Sequence, residues 1–338
     1  MTRRLELGRS AILSFRQRVG SLGERLPRSP RSLRCAAWAG LQDSMPRAAL
    51  LSLHARVDDI DPTAWEDDAL VQLWGPRYSA YVVAASDLGV FSLGRLPEGG
   101  KRQKAEALAA RLDALLGGEQ IPYGEAGRAL GVNHNQLRYA APTGTVLLRW
   151  DGARQPIIWT VPPPEMNPRD ARLELARRYL HVFGPSTADA FSKWAGITSR
   201  AGVATFEALS AELIPARTPI GDSWILAADE DAFREAPGPT APARLLPSGD
   251  AYFLLWGDDR GLLVTDPGRR DALWTSRVWP GAVLVEGEIV GTWRRSQHQV
   301  SIHVWDRLPR KAREAIEAEA ASLPLPDLDR KVDVSWDE

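Results

Sequence analysis

Three times in this 338-residue chain, helix-patterned segments lead through a short turn into a two-stranded hairpin. The clearest copy covers 120–161. Tyr123 to Leu130 reads as a short helix, Gly131-Val132-Asn133 as a turn holding a left-handed residue, and Asn133 to Ala140 as a second helix with Leu137 inward. Thr145 to Trp150 and Pro156 to Val161 then flank Asp151-Gly152, a strong hairpin signal. Helix, turn, helix, hairpin is the order of a winged helix-turn-helix. A second copy spans 170–228, with Ser186 or Thr187 capping one helix, Ser199 capping the next, and a wing turning at Pro219 to Asp222. A third comes first in the chain. It has helices over 9–22, 32–41 and 46–57, another starting at Asp61-Pro62, and a hairpin of Leu70 to Trp74 with Tyr78 to Val83.

After residue 243 the pattern becomes β. Ala282 to Val285 and Glu288 to Trp293 surround Glu286-Gly287, Gln299 to Trp305 supplies a partner strand, and Pro309 to Ser322 reads as an amphipathic helix. The expectation is an α+β fold: three tandem winged helix-turn-helix units at 1–95, 101–165 and 168–235, then a β-rich part with a closing helix at 243–322. The segment 323–338, with its Pro and charge, reads as a frayed tail.

Composition narrows the function. The single cysteine, Cys35, excludes an internal disulfide and a Cys-based zinc site, and five scattered histidines offer no metal cluster, so no structural metal is expected. Cys35 lies in an apolar helical run and reads as a buried thiol. His181 reads as packed on its helix, and His54 as a core residue. No apolar run reaches the roughly 18 residues of a membrane helix, and the Arg-rich N-terminus lacks the apolar stretch of a secretory signal. A cytoplasmic, nucleoid-associated monomer with no obligatory protein partner and no membrane contact is expected. The net charge of −1 hides an asymmetry: residues 1–56 hold eleven Arg against three acids, and residues 57–69 hold six acids and no base. Such a segment can be a nucleic-acid face or a solvated helix surface.

Conventional enzyme signatures are missing: no GxGxxG after a strand, no Walker loop, no HExxH, no GxSxG elbow. The helix Asn133-His134-Asn135-Gln136-Leu137-Arg138 instead offers side chains of the type that read bases, since Asn and Gln can pair with adenine and Arg with guanine. Asn133, Asn135, Gln136 and Arg138 are therefore candidate DNA contacts.

The order of several local stretches is more specific. Ala39-Gly40-Leu41-Gln42-Asp43-Ser44-Met45-Pro46 with the helix after it, Leu70 to Val83, Tyr179 to Asp189 with Lys193-Trp194-Ala195-Gly196, Arg244 to Tyr252, and Trp279 to Arg294 resemble, in order, segments of the winged-helix DNA glycosylases of the AlkZ/YcaQ type. The resemblance covers about residues 10–322. It implies three winged-helix units in a C-shaped body around a basic DNA cleft. It implies hydrolysis of the N-glycosidic bond of N7-alkylated purines in double-stranded DNA, including interstrand crosslinks in some members, without metal or cofactor. The family motif is Gln, an apolar residue, then Gln or Asp. This chain departs from it with Gln42-Asp43-Ser44. The candidate catalytic residues are thus Gln42, Asp43 and Ser44. If the segment is extended, Gln42 and Ser44 point one way and Asp43 the other; Asp43 or Ser44 could equally cap the next helix. A basic surface is expected from Arg3, Arg4, Arg9, Arg16, Arg18 and Arg47, with Arg77, Arg294 and Arg295 from two hairpins. A non-catalytic DNA-binding protein and a different nucleic-acid hydrolase working through Asp43 stay open beside the glycosylase.

Overall fold

The structure is a computed structural model that describes residues 4–152, 154–325 and 332–337. The chain opens with a short strand β1 (Leu5–Glu6) and helix α1 (Arg9–Val19). The first small sheet then combines β2 (Leu41–Gln42), β3 (Leu70–Trp74) and β4 (Ala80–Ala84) in the order β2-β4-β3. Helices α2 (Pro30–Ala36), α3 (Ala48–His54) and α4 (Leu88–Leu93) accompany it. Leu33, Leu50, Leu53, Val57, Trp65, Leu70 and Val82 form one buried cluster there. The expected helix at Asp61-Pro62 is instead a tight turn, because Asp61 accepts from the Thr63 amide, and it leads into a single 3-10 turn at Ala64–Glu66.

The second sheet follows helix α5 (Gly99–Leu116). It contains β5 (Ile121–Pro122), β6 (Val146–Arg149) and β7 (Ile157–Thr160), in the order β5-β7-β6, with α6 (Tyr123–Ala129) beside it. The expected reading helix is not an α-helix. Residues His134–Thr143 form a 3-10 run. Pro142 lies in this run, and its missing N–H cannot close an α-turn.

Helices α7 (Pro168–Phe183), α8 (Ala188–Ala195) and α9 (Ser199–Ala208) lead into the third hairpin, β8 (Leu213–Thr218) and β9 (Gly221–Leu226), and then α10 (Glu230–Arg234). Thr187 caps α8, and Thr198 rather than Ser199 caps α9, accepting from the Ala201 amide at 3.2 Å. The third strand of this sheet is β1, which pairs parallel to β8 with Leu5 opposite Ala216. Helix α1 follows it. Ile12 and Phe15 pack with Ala216, Ile225, Phe233 and Leu262, and Phe15 stacks on Phe233 at 3.8 Å. The sequence places residues 9–22 with the first unit; their apolar face is buried on the third.

The C-terminal part holds β10 (Arg244–Leu246), α11 (Arg260–Leu263), α12 (Pro267–Leu273), β11 (Gly281–Val285), β12 (Glu288–Ser296), β13 (Gln299–Val304), α13 (Arg310–Ala321) and β14 (Asp333–Asp337). The five strands pair in sequence order, and β14 joins β13 in parallel. The expected frayed tail is corrected by this strand, whose Trp336 donates to Glu317 and lies under Arg313. Mixed helices and small sheets make this an α+β protein. Among the described residues, no helix is long and apolar enough to cross a membrane, and no group of three His, Cys, Asp or Glu could hold a metal ion.

Candidate active site

Strand β2 brings Gln42 to the surface edge of the first sheet, where it pairs with Tyr81 of β4. The backbone is extended here, so successive side chains alternate. Gln42 and Ser44 lie on one side, with Gln42 Nε2 donating to Ser44 Oγ at 2.6 Å. Asp43 points to the other side and is buried.

The carboxylate of Asp43 is fully engaged. Its Oδ1 accepts from the Ala49 amide at 3.0 Å, within the first turn of α3, and its Oδ2 accepts from Gln72 Nε2 at 2.6 Å. Gln72 Oε1 in turn accepts from the Trp150 amide at 2.6 Å. One carboxylate thus starts α3 and, through Gln72, ties the first sheet to the end of β6. Burial pushes the Asp43 carboxyl up to about 6, against the opposing pull of the Ala49 and Gln72 donors and the Arg47 charge.

Gln42 is held from the opposite side. Its Oε1 accepts from Arg77 Nη2 at 2.8 Å and from the Tyr81 hydroxyl at 3.3 Å. Arg77 has donors only, so its partner on Gln42 must be the oxygen, and the amide orientation is fixed. Arg77 is itself fixed at three points. It sits at φ 53° in the hairpin turn, stacks 4.4 Å over Trp256, and donates to the Trp194 carbonyl at 3.3 Å. Gly249, at φ 79°, approaches Gln42 so closely that a Cβ there would lie 3.1 Å from Nε2. The loop carrying it is anchored by Asp250, whose buried carboxylate takes two 2.7 Å bonds from Arg56 and one from Ser52. The polar edge of this site is a rigid Gln42–Ser44 pair whose serine hydroxyl keeps a proton and a lone pair for an outside partner.

Several expected DNA contacts are placed elsewhere. Arg16 is corrected outright: it is buried, and its guanidinium donates to the carbonyls of Phe183 at 2.6 Å and Gly184 at 3.1 Å. Arg9 forks onto Glu288 at 2.8 and 2.6 Å and also holds Leu262 O. Arg4 pairs with Asp222 and Arg18 with Glu235; Arg3 lies outside the described residues. The basic N-terminal segment is therefore joined to the third unit and the C-terminal sheet, and Arg77 is turned inward. Asn133 caps the 3-10 run by accepting from the Asn135 amide, while Asn135 and Gln136 are exposed. Arg138 is half-buried, 5.5 Å over Tyr139. Arg294 is exposed and donates to Val278 O, and Arg295 is half-buried and donates to Gln297 O at 3.3 Å. Cys35 corrects another expectation: it is exposed, because α2 buries Ser32 and Leu33 instead. His54 is buried between Arg25 and Ser322, and desolvation with the nearby Arg25 and Arg244 charges lowers it to about 3. His181 holds Asp229 through Nδ1 at 2.9 Å.

Two residues of the site were not singled out from the sequence. Gln72 is a polar residue at a buried strand position, and that mismatch is its signal. Trp65 lies inside the acidic run, with the guanidinium carbons of Arg47 and Arg149 at 4.8 and 5.8 Å from its ring centre.

A family model described as DNA glycosylase AlkZ-like matches residues 35–324. The chain belongs to the AlkZ-like DNA glycosylase family. The solved structure of Streptomyces sahachiroi DNA glycosylase AlkZ shares the fold, with a TM-score of 0.78 over 98% of this chain and 100% of that chain at 18% sequence identity. No curated protein sequence matches the chain. Within this AlkZ-like frame, Gln42 and Ser44 form the accessible edge of the variant motif, and Asp43 forms its buried side.

Proposed function

We propose that this AlkZ-like protein hydrolyses the N-glycosidic bond of N7-alkylated purines in duplex DNA, including bulky or crosslinked ones. The observation that carries the reading is the pinned Gln42–Ser44 pair, presented on a strand edge and held by Arg77, which stacks on Trp256. N7 alkylation makes the purine a cation. When the C1′–N9 bond breaks, its electron pair moves to the base, which leaves neutral, and positive charge develops on the sugar. Water adds to C1′ and loses a proton. The protein therefore needs to hold a water and place a dipole, not to supply a strong acid. Gln42 donates to Ser44 Oγ, which leaves that hydroxyl free to hold the water. Tyr81 and Arg77 keep the Gln42 amide from turning.

Asp43 does not fit the role of general base, since both of its oxygens are occupied by Ala49 and Gln72. That argues against a hydrolase working through Asp43. The test is duplex DNA carrying one N7-methylguanine, with base release scored by alkaline cleavage. Gln42→Ala should slow release about 100-fold, and Ser44→Ala should slow it by a smaller factor. Salt-sensitive binding with no release above the spontaneous rate would instead support a non-catalytic lesion-binding protein. The expected partner is double-stranded DNA, the protein acts as a monomer, and its place is the cytoplasm at the nucleoid.

A further inference from the structure

Most arginines in this protein have a carboxylate or a carbonyl to hold. Arg25 pairs with Glu319, Arg34 and Arg178 with Asp87, and Arg56 with Asp250. Two arginines, Arg47 and Arg149, do not. Arg47, from the turn before α3, and Arg149, from the end of β6, approach one ring, Trp65. Arg295 of β12 differs from them, since it donates to Gln297 O at 3.3 Å. Neither Arg47 nor Arg149 forms an ion pair among the described residues. Asp43 is committed to Ala49 and Gln72, and Asp67 accepts from the Ala69 amide.

Two guanidinium groups brought to one ring from separate parts of the chain repel each other, and among the described residues neither has a carboxylate in hydrogen-bonding contact to offset this. An anion would offset it. Trp65 adds the geometry: its buried indole is a flat platform on which guanidinium planes can lie, with their N–H edges left free. Arg47 holds its position through a left-handed backbone, φ 65°. Planar forks with free edges suit a phosphate bearing several acceptor oxygens.

We propose that Arg47 and Arg149, gathered on Trp65, clamp a backbone phosphate of duplex DNA next to the nucleotide facing Gln42 and Ser44. The clamp rests on the DNA reading above but is read out by binding alone, so an absence of base release would leave it standing. It draws one cation from the turn before α3 and one from the end of β6. A phosphate there would fix these two parts relative to one another and set which nucleotide reaches the motif.

The test is duplex binding as a function of salt, on the full chain. Removing one cation from a phosphate should reduce the slope of log K against log salt by about 0.9. Arg149→Gln should show that reduction, and Trp65→Leu should weaken binding several-fold at low salt by releasing both forks. Arg310→Gln is the charge-matched control, since Arg310 is exposed on α13 and paired with Glu314. A methylphosphonate placed at successive positions identifies the phosphate. One position should weaken wild-type binding and have no further effect in Arg149→Gln. The clamp is overturned if Arg149→Gln leaves the slope unchanged, or if Arg310→Gln lowers it equally. It is also overturned if every methylphosphonate position affects wild type and variant alike, or if inorganic phosphate binds the protein without competing with DNA. Thermal unfolding of each variant separates weakened binding from a damaged fold.

Discussion

The arginines of the N-terminal segment and those around Trp65 look alike in sequence and differ in what they face. Arg4, Arg9, Arg16 and Arg18 reach across the fold and are consumed: Asp222, Glu288, two carbonyls of the turn after α7, and Glu235. Arg47 and Arg149 have no such partner among the described residues. The first group acts on stability and the second on ligand. Local charge density cannot separate them, because the partners of the first group lie far away in the chain: Arg9 finds Glu288 at the start of β12. What counts is whether the fold delivers an acceptor.

The contrast makes opposite predictions for the two groups. Arg16→Ala should give the largest loss of stability, about 3 kcal/mol by urea unfolding, since it leaves buried carbonyls unpaired and opens a cavity. Its salt slope for DNA should match wild type; a reduced slope with unchanged stability would erase the distinction. Asp43→Asn comes next, at about 2 kcal/mol. The new amide would set a donor against the Gln72 amide, and turning Gln72 over would break its bond from Trp150. Retained stability in that variant would mean the Asp43–Gln72–Trp150 connection contributes little.

Two buried groups should pull the acid limb of stability in opposite directions. His54 is lowered to about 3 in the folded state, so the unfolded chain binds the extra proton between about pH 3 and 6.5. Stability therefore falls as pH drops through that window, by at most about 1.4 kcal/mol per pH unit. Asp43, raised to about 6, holds a proton in the folded state that the unfolded chain releases above about pH 4. Its contribution is fully present below about pH 4 and is lost as pH rises to 6. Denaturant melts of His54→Gln at pH 4.5 and 7 should show less acid loss than wild type, and those of Asp43→Asn more. Identical pH dependence in all three proteins would show that neither group governs the acid limb. The smallest expected stability effect belongs to Arg77→Lys, within about 1 kcal/mol, but base release should fall about tenfold. A lysine cannot hold the Gln42 oxygen and stack on Trp256 at once. Here the kcat against KM split matters, because a weakened hold on a DNA phosphate would raise KM instead.

The hairpins were legible from the sequence because their information is local. Asp151-Gly152, Glu286-Gly287 and the alternating residues beside them specify the turn and register within a few positions, and the strands β6 with β7 and β11 with β12 fall there. The split of Gln42 and Ser44 from Asp43 was legible for the same reason, since an extended strand alternates. The 3-10 run at 134–143 was not, because the polar helix pattern ahead of Pro142 outweighed a proline that only matters once the turn tightens. The site's supports were least legible. Trp256 under Arg77, Gly249 against Gln42 and Trp150 on Gln72 come from distant segments, and nothing in residues 39–46 announces them.

The parallel pairing of β1 with β8 has a consequence for how the molecule can be taken apart. Leu5 meets Ala216 only after the segments of the first and second sheets have been threaded between them. A strand from the start of the chain completes the sheet of the third unit, and the helix after it supplies that unit's core. The sheet of β8 and β9 therefore cannot be excised or expressed singly with its outer strand and that helix in place. A cut between residues 95 and 101 would separate the third unit from its own outer strand. The chain should gain and lose its structure as one body, with the slow step being the long loop closure that brings its first strand home.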